Sequence, residues 1–141
     1  MTKYLGLFLL FPILLLTTSC SLRLDKYEDL GSQYEALAWL ASNPNPYALA
    51  GNRFYSTEDA IAFVEMLYEA GAVEVLVTNI YDEDWRIEAE GGPYADTLIL
   101  RLPQDSEKRK RLFEISNDEA VREGFSPERD TGQETLLLWW D

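Results

Sequence analysis

Residues 56–80 read STEDAIAFVEMLYEAGAVEVLVTNI. They state a helix-to-strand unit in local chemistry. Ser56 offers a side-chain oxygen to a free N–H of the first turn. Glu58 and Asp59 follow, where the helix dipole favours negative charge. Ala60, Ile61, Val64, Leu67 and Tyr68 recur at three- and four-residue spacing and so share one face. Phe63 and Ala70 widen that stripe, while Ala62, Glu65 and Glu69 fall toward water. Gly71 comes after the last turn, where a left-handed C-cap suits a residue without a side chain. The period then changes. Val73, Val75 and Val77 alternate with Glu74, Leu76 and Thr78, the pattern of a β-branched strand. A helix and a strand of one core account for the whole stretch, and none of it calls for a cofactor.

Outward from this unit, residues 32–42 (SQYEALAWLAS) predict an earlier helix, stopped by Asn43-Pro44-Asn45-Pro46 because a residue before proline avoids helical geometry. Residues 47–55 (YALAGNRFY) read as a first strand with Gly51-Asn52 as a bulge or turn. Residues 79–96 read as a long connection with a turn at Gly91-Gly92-Pro93, and Trp85-Arg86-Ile87 either extends the strand or forms a short ribbon. Residues 97–102 (TLILRL) make the next strand, which Pro103 ends. Asp105 caps a helix from Ser106 whose apolar side is Leu112, Phe113 and Ile115. Ser116-Asn117-Asp118-Glu119 resembles a capping box, which predicts a second short helix ending near Gly124. A polar loop, residues 125–133, leads to a last strand, residues 135–140 (TLLLWW).

The order, after the first helix, is strand, helix, strand, strand, helix, strand. That is an α+β domain with the βαββαβ arrangement of ferredoxin-like folds, plus an extra N-terminal helix. In such a fold helices cover one sheet face, and the open face is polar at every second residue. Here Val75 and Leu76, Ile99 and Leu100, Leu137 and Leu138 make both faces apolar. Something must cover the second face. The expected cover is the helix over residues 32–42, with a partner subunit as the alternative.

The N-terminus carries an address. Lys3 precedes the apolar run of residues 5–16, which is too short to span a bilayer comfortably and fits a secretory signal. It ends in Leu16-Thr17-Thr18-Ser19-Cys20, small residues before a lone cysteine. This resembles the lipobox of bacterial lipoproteins, although Thr17 stands where leucine is usual and Leu16 is one place further back. The resemblance implies cleavage after residues 1–19 and a lipid on the Cys20 sulfur. The alternative is an ordinary signal peptide that leaves Cys20 free. With the anchor in place, residues 20–31 form a tether and residues 32–141 a single domain. Ser21 resembles an outer-membrane sorting residue. The implied location is the bacterial cell envelope: the outer membrane facing the periplasm in a diderm host, or the outer face of the plasma membrane in a monoderm one. The membrane is then a partner through the N-terminal lipid.

Composition narrows the chemistry. The chain carries 25 acidic and 12 basic side chains, a formal net charge of −13, and no histidine. That balance disfavours nucleic acid and anionic lipid and favours a cationic partner. Without histidine, and with Cys20 lipidated, His general bases, Cys nucleophiles and disulfides are excluded. No G-x-S-x-G elbow, P-loop or G-x-G-x-x-G loop occurs. The sharpest constellation is Asp82-Glu83-Asp84 with Trp85 and Glu88, extended by Glu90 and Asp96. Such carboxylates suit a protein-binding surface, a Ca²⁺ site, or the acid and base of a hydrolase using Asp82, Asp84 or Glu88. Their spacing does not fit an EF-hand, and a solvated acidic loop is the plainest account. Lys108-Arg109-Lys110-Arg111 is unusual in so acidic a chain. It reads as a solvated helix face paired with Glu107 and Glu114, or as a contact for an acidic surface. The expectation is therefore a small acidic binding module on an envelope lipoprotein, with a protein partner of cationic character, no cofactor and no metal; a carboxylate-dependent hydrolase of the envelope, built on residues 82–90, is the alternative.

Overall fold

The computed structural model describes residues 25–141. Cys20 and the signal segment lie outside the described residues. A 3-10 turn, Asp25–Leu30, leads into strand β1 (Tyr34–Glu35) and helix α1 (Ala36–Ser42). Helix α2 (Thr57–Glu69), strand β2 (Glu74–Tyr81), helix α3 (Asp84–Glu90), strand β3 (Tyr94–Arg101), helix α4 (Ser106–Arg122) and strand β4 (Thr135–Trp139) follow.

The unit at residues 56–80 forms as its residues dictate. Ser56 Oγ accepts from the Asp59 amide at 3.1 Å, and Ala60, Phe63, Val64 and Leu67 are buried. At the far end the Ala72 amide reaches the Leu67 carbonyl and the Gly71 amide the Tyr68 carbonyl, a Schellman closure. Gly71 has φ +113°, and a Cβ there would lie 2.7 Å from the Lys108 side chain of α4. Glycine is required twice over, by backbone conformation and by the closeness of α4.

The sheet is antiparallel throughout, in the order β1-β2-β3-β4. One face packs Val75 and Val77, Leu98 and Leu100, and Leu136 and Leu138 under α1, α2 and α4. Each such side chain taken from water contributes about 1.5–3 kcal/mol. Phe54, Phe63 and Trp140 close one end of this core, with ring centroids 5.2 to 6.0 Å apart.

The α+β class is as expected, but the strand order is consecutive and departs from the ferredoxin-like arrangement. The reason lies along β3. Residues 47–55 do not form a strand. They contribute a single parallel bridge, Leu49 to Ala95, held by Ala50 N–H to Ala95 and Ala95 N–H to Ala48. The same side of β3, from Thr97 to Arg101, is taken by β4. Two segments thus share one side of β3 end to end, and the longer apolar one takes most of it.

The second sheet face is covered in part within the chain, but not by α1. Ala36 and Leu40 of α1 join the main core instead. The cover includes the turn at Asp25–Leu30: Tyr27 Oη meets Thr135 Oγ1 of β4 at 2.8 Å, and Thr78 Oγ1 of β2 donates to the Leu30 or Ser32 carbonyl at 3.0 Å. The segment therefore runs over β3 from β4 to β2, where Leu76 and Ile99 are buried. The stretch expected to be a tether contributes this turn to the fold.

Three helices differ from expectation. The helix expected over residues 32–42 begins only at Ala36, because Tyr34 and Glu35 pair with β2 as strand β1 and Glu35 caps the helix. Residues 84–90 are helical, neither strand nor ribbon. Residues 106–122 form one helix without a break at Ser116. Leu112, Phe113, Ser116 and Glu119 are all buried, so Ser116 continues the core-facing stripe rather than capping a new helix.

Candidate functional site

The acidic residues singled out in the sequence stand on and before α3, at one end of the sheet. Asp82, Glu83, Asp84, Trp85 and Glu88 are all exposed. Arg86 organises them. Its guanidinium bonds Glu83 and Glu90, each at 3.0 Å, and lies 4.6 Å from the Trp85 ring centroid and 5.3 Å from that of Tyr81. Bonds to its own amide and to Arg86 hold the Glu83 carboxyl below the usual carboxylate range. The three acids at 82, 84 and 88 form no ion pair among the described residues. No group of three carboxylates converges as a cation site would require, among the described residues. Asp82, Asp84 and Glu88 stand exposed to solvent, while Arg86, Ala89 and Glu90 of the same helix line a pocket of about 400 Å³ with Asn45, Pro46, Tyr47 and Tyr94.

Asp96 is separated from this set. It is buried, and its carboxylate accepts from Thr97 Oγ1 at 2.7 Å, Asn79 Nδ2 at 2.8 Å and Tyr81 Oη at 3.1 Å. Burial, and then the bond to Asp96, push the Tyr81 phenol up. Asn79 stands at φ +52°, where β2 and β3 lose a register pair. The four groups satisfy one another and fix that irregularity.

The basic run at residues 108–111 is divided in the same way. Arg109 is buried and clamps the loop after α4, with Asp130 at 2.6 and 2.9 Å and the Gln133 and Pro103 carbonyls at 3.0 and 3.2 Å. The Arg109 guanidinium draws the Asp130 carboxyl down to about 2. Lys108, Lys110 and Arg111 face a shallow surface with Glu107, Glu114 and Asp118. Arg109 is thus a loop anchor, not part of the expected solvated face.

A groove that sequence reasoning missed lies at the lateral edge of the sheet, along β4. Its volume is about 460 Å³, and its walls come from the last turns of α4, residues 125–128 and β4. The C-terminus of α4 builds one wall. The Phe125 amide reaches the Ala120 carbonyl at 2.8 Å and the Gly124 amide the Val121 carbonyl at 3.1 Å, with Gly124 at φ +84°. This Schellman closure turns the chain and presents Phe125, whose ring meets Trp139 at 5.6 Å. Asn117 fixes the loop beyond, giving and taking a bond with the Glu128 backbone at 2.9 and 2.8 Å. Phe125, Leu137 and Trp139 are 47, 37 and 38% exposed, so a half-open apolar surface sits on a rigid frame.

Beneath the groove is a charged node. Glu119, nearly buried, takes two bonds of 2.8 Å from Arg53 and one of 3.0 Å from Trp140 Nε1. Burial raises its pKa, but the bonds from Arg53 and Trp140 outweigh burial and leave it below the usual glutamate range. Arg53 in turn stacks on Phe54 and Phe63 at 4.9 and 5.7 Å.

The signal for this groove was in the sequence as Gly124-Phe125 after a helix, together with the uninterrupted TLLLWW. What was absent was the pairing that leaves β4 at the sheet's rim. Compared with known proteins, the chain matches no family model, no curated protein and no solved structure.

Proposed function

We propose that this chain is a lipid-anchored, acidic binding module of the bacterial envelope, and that it binds a protein through the groove beside β4. The observation that carries the reading is the half-exposed Phe125, Leu137 and Trp139 around one apolar groove on a clamped frame. Large apolar side chains grouped on the surface of an otherwise charged domain mark interaction sites. The lipobox-like segment supports the address. Tyr27, in the first described turn, meets β4 at Thr135. The stretch from Cys20 to Tyr27 reaches about 25 Å fully extended, so an anchor at Cys20 keeps β4 close to the membrane. Among the described residues no helix is long and apolar enough to cross a membrane. The hydrolase alternative draws no support from α3, where Asp82, Asp84 and Glu88 point outward singly.

Two measurements test this. Radiolabelled palmitate is incorporated by the native chain and lost in Cys20→Ala; labelling that survives the substitution, or is absent from both, removes the anchor. A photo-crosslinking amino acid at position 137 yields a discrete protein adduct in intact cells and one at position 85 does not. Adducts at 85 alone move the binding surface to α3.

A further inference from the structure

Backbone pairing along β4 defines a specific vacancy on its outer side. The Trp140 amide donates to the Asp96 carbonyl and the Leu102 amide to the Glu134 carbonyl. Residues 96 and 140, and 102 and 134, are opposite one another in the β3–β4 register. Hydrogen-bonded pairs alternate in an antiparallel ladder, so Leu136 and Leu138 also direct their N–H and C=O groups to β3. Thr135, Leu137 and Trp139 direct theirs outward. Among the described residues no other segment pairs with that side, since β4 ends the sheet. Proteins blunt such edges with charge, proline, bulges or brevity. The opposite edge is blunted in the last way: β1 is two residues long. β4 has five residues, TLLLW, with no charge and no proline.

Resting on the binding-module reading, we propose the mode and the partner's chemistry: an extended, basic segment of another protein adds to β4 as a fifth strand. The main chain of that segment pairs with Thr135, Leu137 and Trp139. Its side chains alternate, one set toward Phe125 and Trp139 and the other toward α4. Charge selects the occupant. Glu119 in the groove is already paired with Arg53, so the free charge in its lining is the Glu128 carboxylate, and no lysine or arginine lines it. A second copy of this chain would bring a further net charge of −13 to the same place. A segment with alternating lysine or arginine instead meets Glu128, which is exposed on the rim. Strand addition of this kind draws affinity from main-chain bonds and specificity from alternate side chains.

The test uses the detergent-solubilised full chain and a capped hexapeptide of alternating valine and lysine. The expected result is a shift in Trp139 fluorescence and about tenfold slower amide exchange at Leu137 and Trp139. Binding should weaken with salt. It should be lost when alternate peptide nitrogens are methylated, and when glutamate replaces lysine. Leu137→Pro removes an outward donor and no ladder bond, so it should abolish binding while the sheet persists. The methylated peptide keeps the test decisive if that variant does not fold. A fluorescence shift without amide protection overturns strand addition and leaves a side-chain groove and the module reading standing. Equal binding of the glutamate peptide overturns the basic partner. Protection that appears with protein concentration alone assigns the edge to a second copy. No response to any peptide overturns the proposal, while the in-cell crosslink at position 137 separately decides whether the module reading survives.

Discussion

Glu119 and Glu35 show how single carboxylates are used in this chain. Glu119 joins α4, the Arg53 turn and the C-terminal Trp140. Removing one partner of a buried pair strands the other, so Glu119→Gln should cost about 2 kcal/mol in chemical denaturation at pH 7. The folded pKa is depressed, so the stabilising effect is complete above the unfolded glutamate value of about 4.3 and is lost as pH falls through the lower folded value. The difference between native and variant should therefore shrink below about pH 4. Glu35 caps α1 through the Leu37 and Ala38 amides at 3.1 and 2.7 Å, and accepts from Tyr68 Oη at 2.7 Å. Tyr68 in turn accepts the Val75 amide at 3.0 Å. Burial, reinforced by the bond to Glu35, pushes the phenol up to about 12. Asp130 is the third case. In Arg109→Gln its carboxyl should titrate above the native value of about 2, with the Gly132 amide still holding it below the ordinary aspartate range, read by carbon NMR. Arg53, Tyr68 and Arg109 lie 66, 33 and 21 residues from the carboxylates they meet, so no local pattern pointed to those pairs.

At the scale of elements, the caps separate two glycines that look alike in the sequence. Gly71 and Gly124 each follow a helix and each has positive φ. A Cβ at 71 strikes the Lys108 side chain, whereas at 124 nothing lies within 4 Å. Gly71→Ala should therefore cost more in thermal unfolding than Gly124→Ala, whose loss is the roughly 1 kcal/mol of a left-handed alanine. Gly124→Ala should instead weaken crosslinking at position 137, by shifting Phe125. Helix α3 was legible in principle: Glu83, Arg86 and Glu90 have the three- and four-residue spacing of helical ion pairs, and Gly91 takes the left-handed C-cap. Its apolar content is too low for a hydrophobic stripe, and none of its residues is buried, so periodicity did not reveal it. The capping-box pattern at Ser116 misled for the converse reason. A cap needs the chain to leave helical geometry there, and the burial of Phe113, Ser116 and Glu119 keeps it in.

At the scale of the molecule, the second sheet face depends on residues before the expected domain start. A chain beginning at residue 32 would lose the Tyr27 and Leu30 contacts and uncover Leu76 and Ile99. Its Tm should fall by about 5 °C or more, with dye binding to the exposed apolar surface; an unchanged melt would show that the turn adds nothing. The acid face at the other end should be inert toward the fold. Trp85→Ala, at an exposed site, should shift stability by no more than about 0.5 kcal/mol.

Taken alone, the sequence determined what nearest neighbours along the chain can settle: the Ser56 cap, the core stripe of α2, the switch to a strand after Gly71, the apolar strands at residues 97–102 and 135–140, and the α+β class. Tertiary structure decided which strand won the side of β3, which segment covered the second face, and which edge stayed open. Those outcomes are competitions between segments far apart in sequence for the same backbone donors and the same apolar surface. Local periodicity records that a strand is apolar, but not which rival reaches its partner.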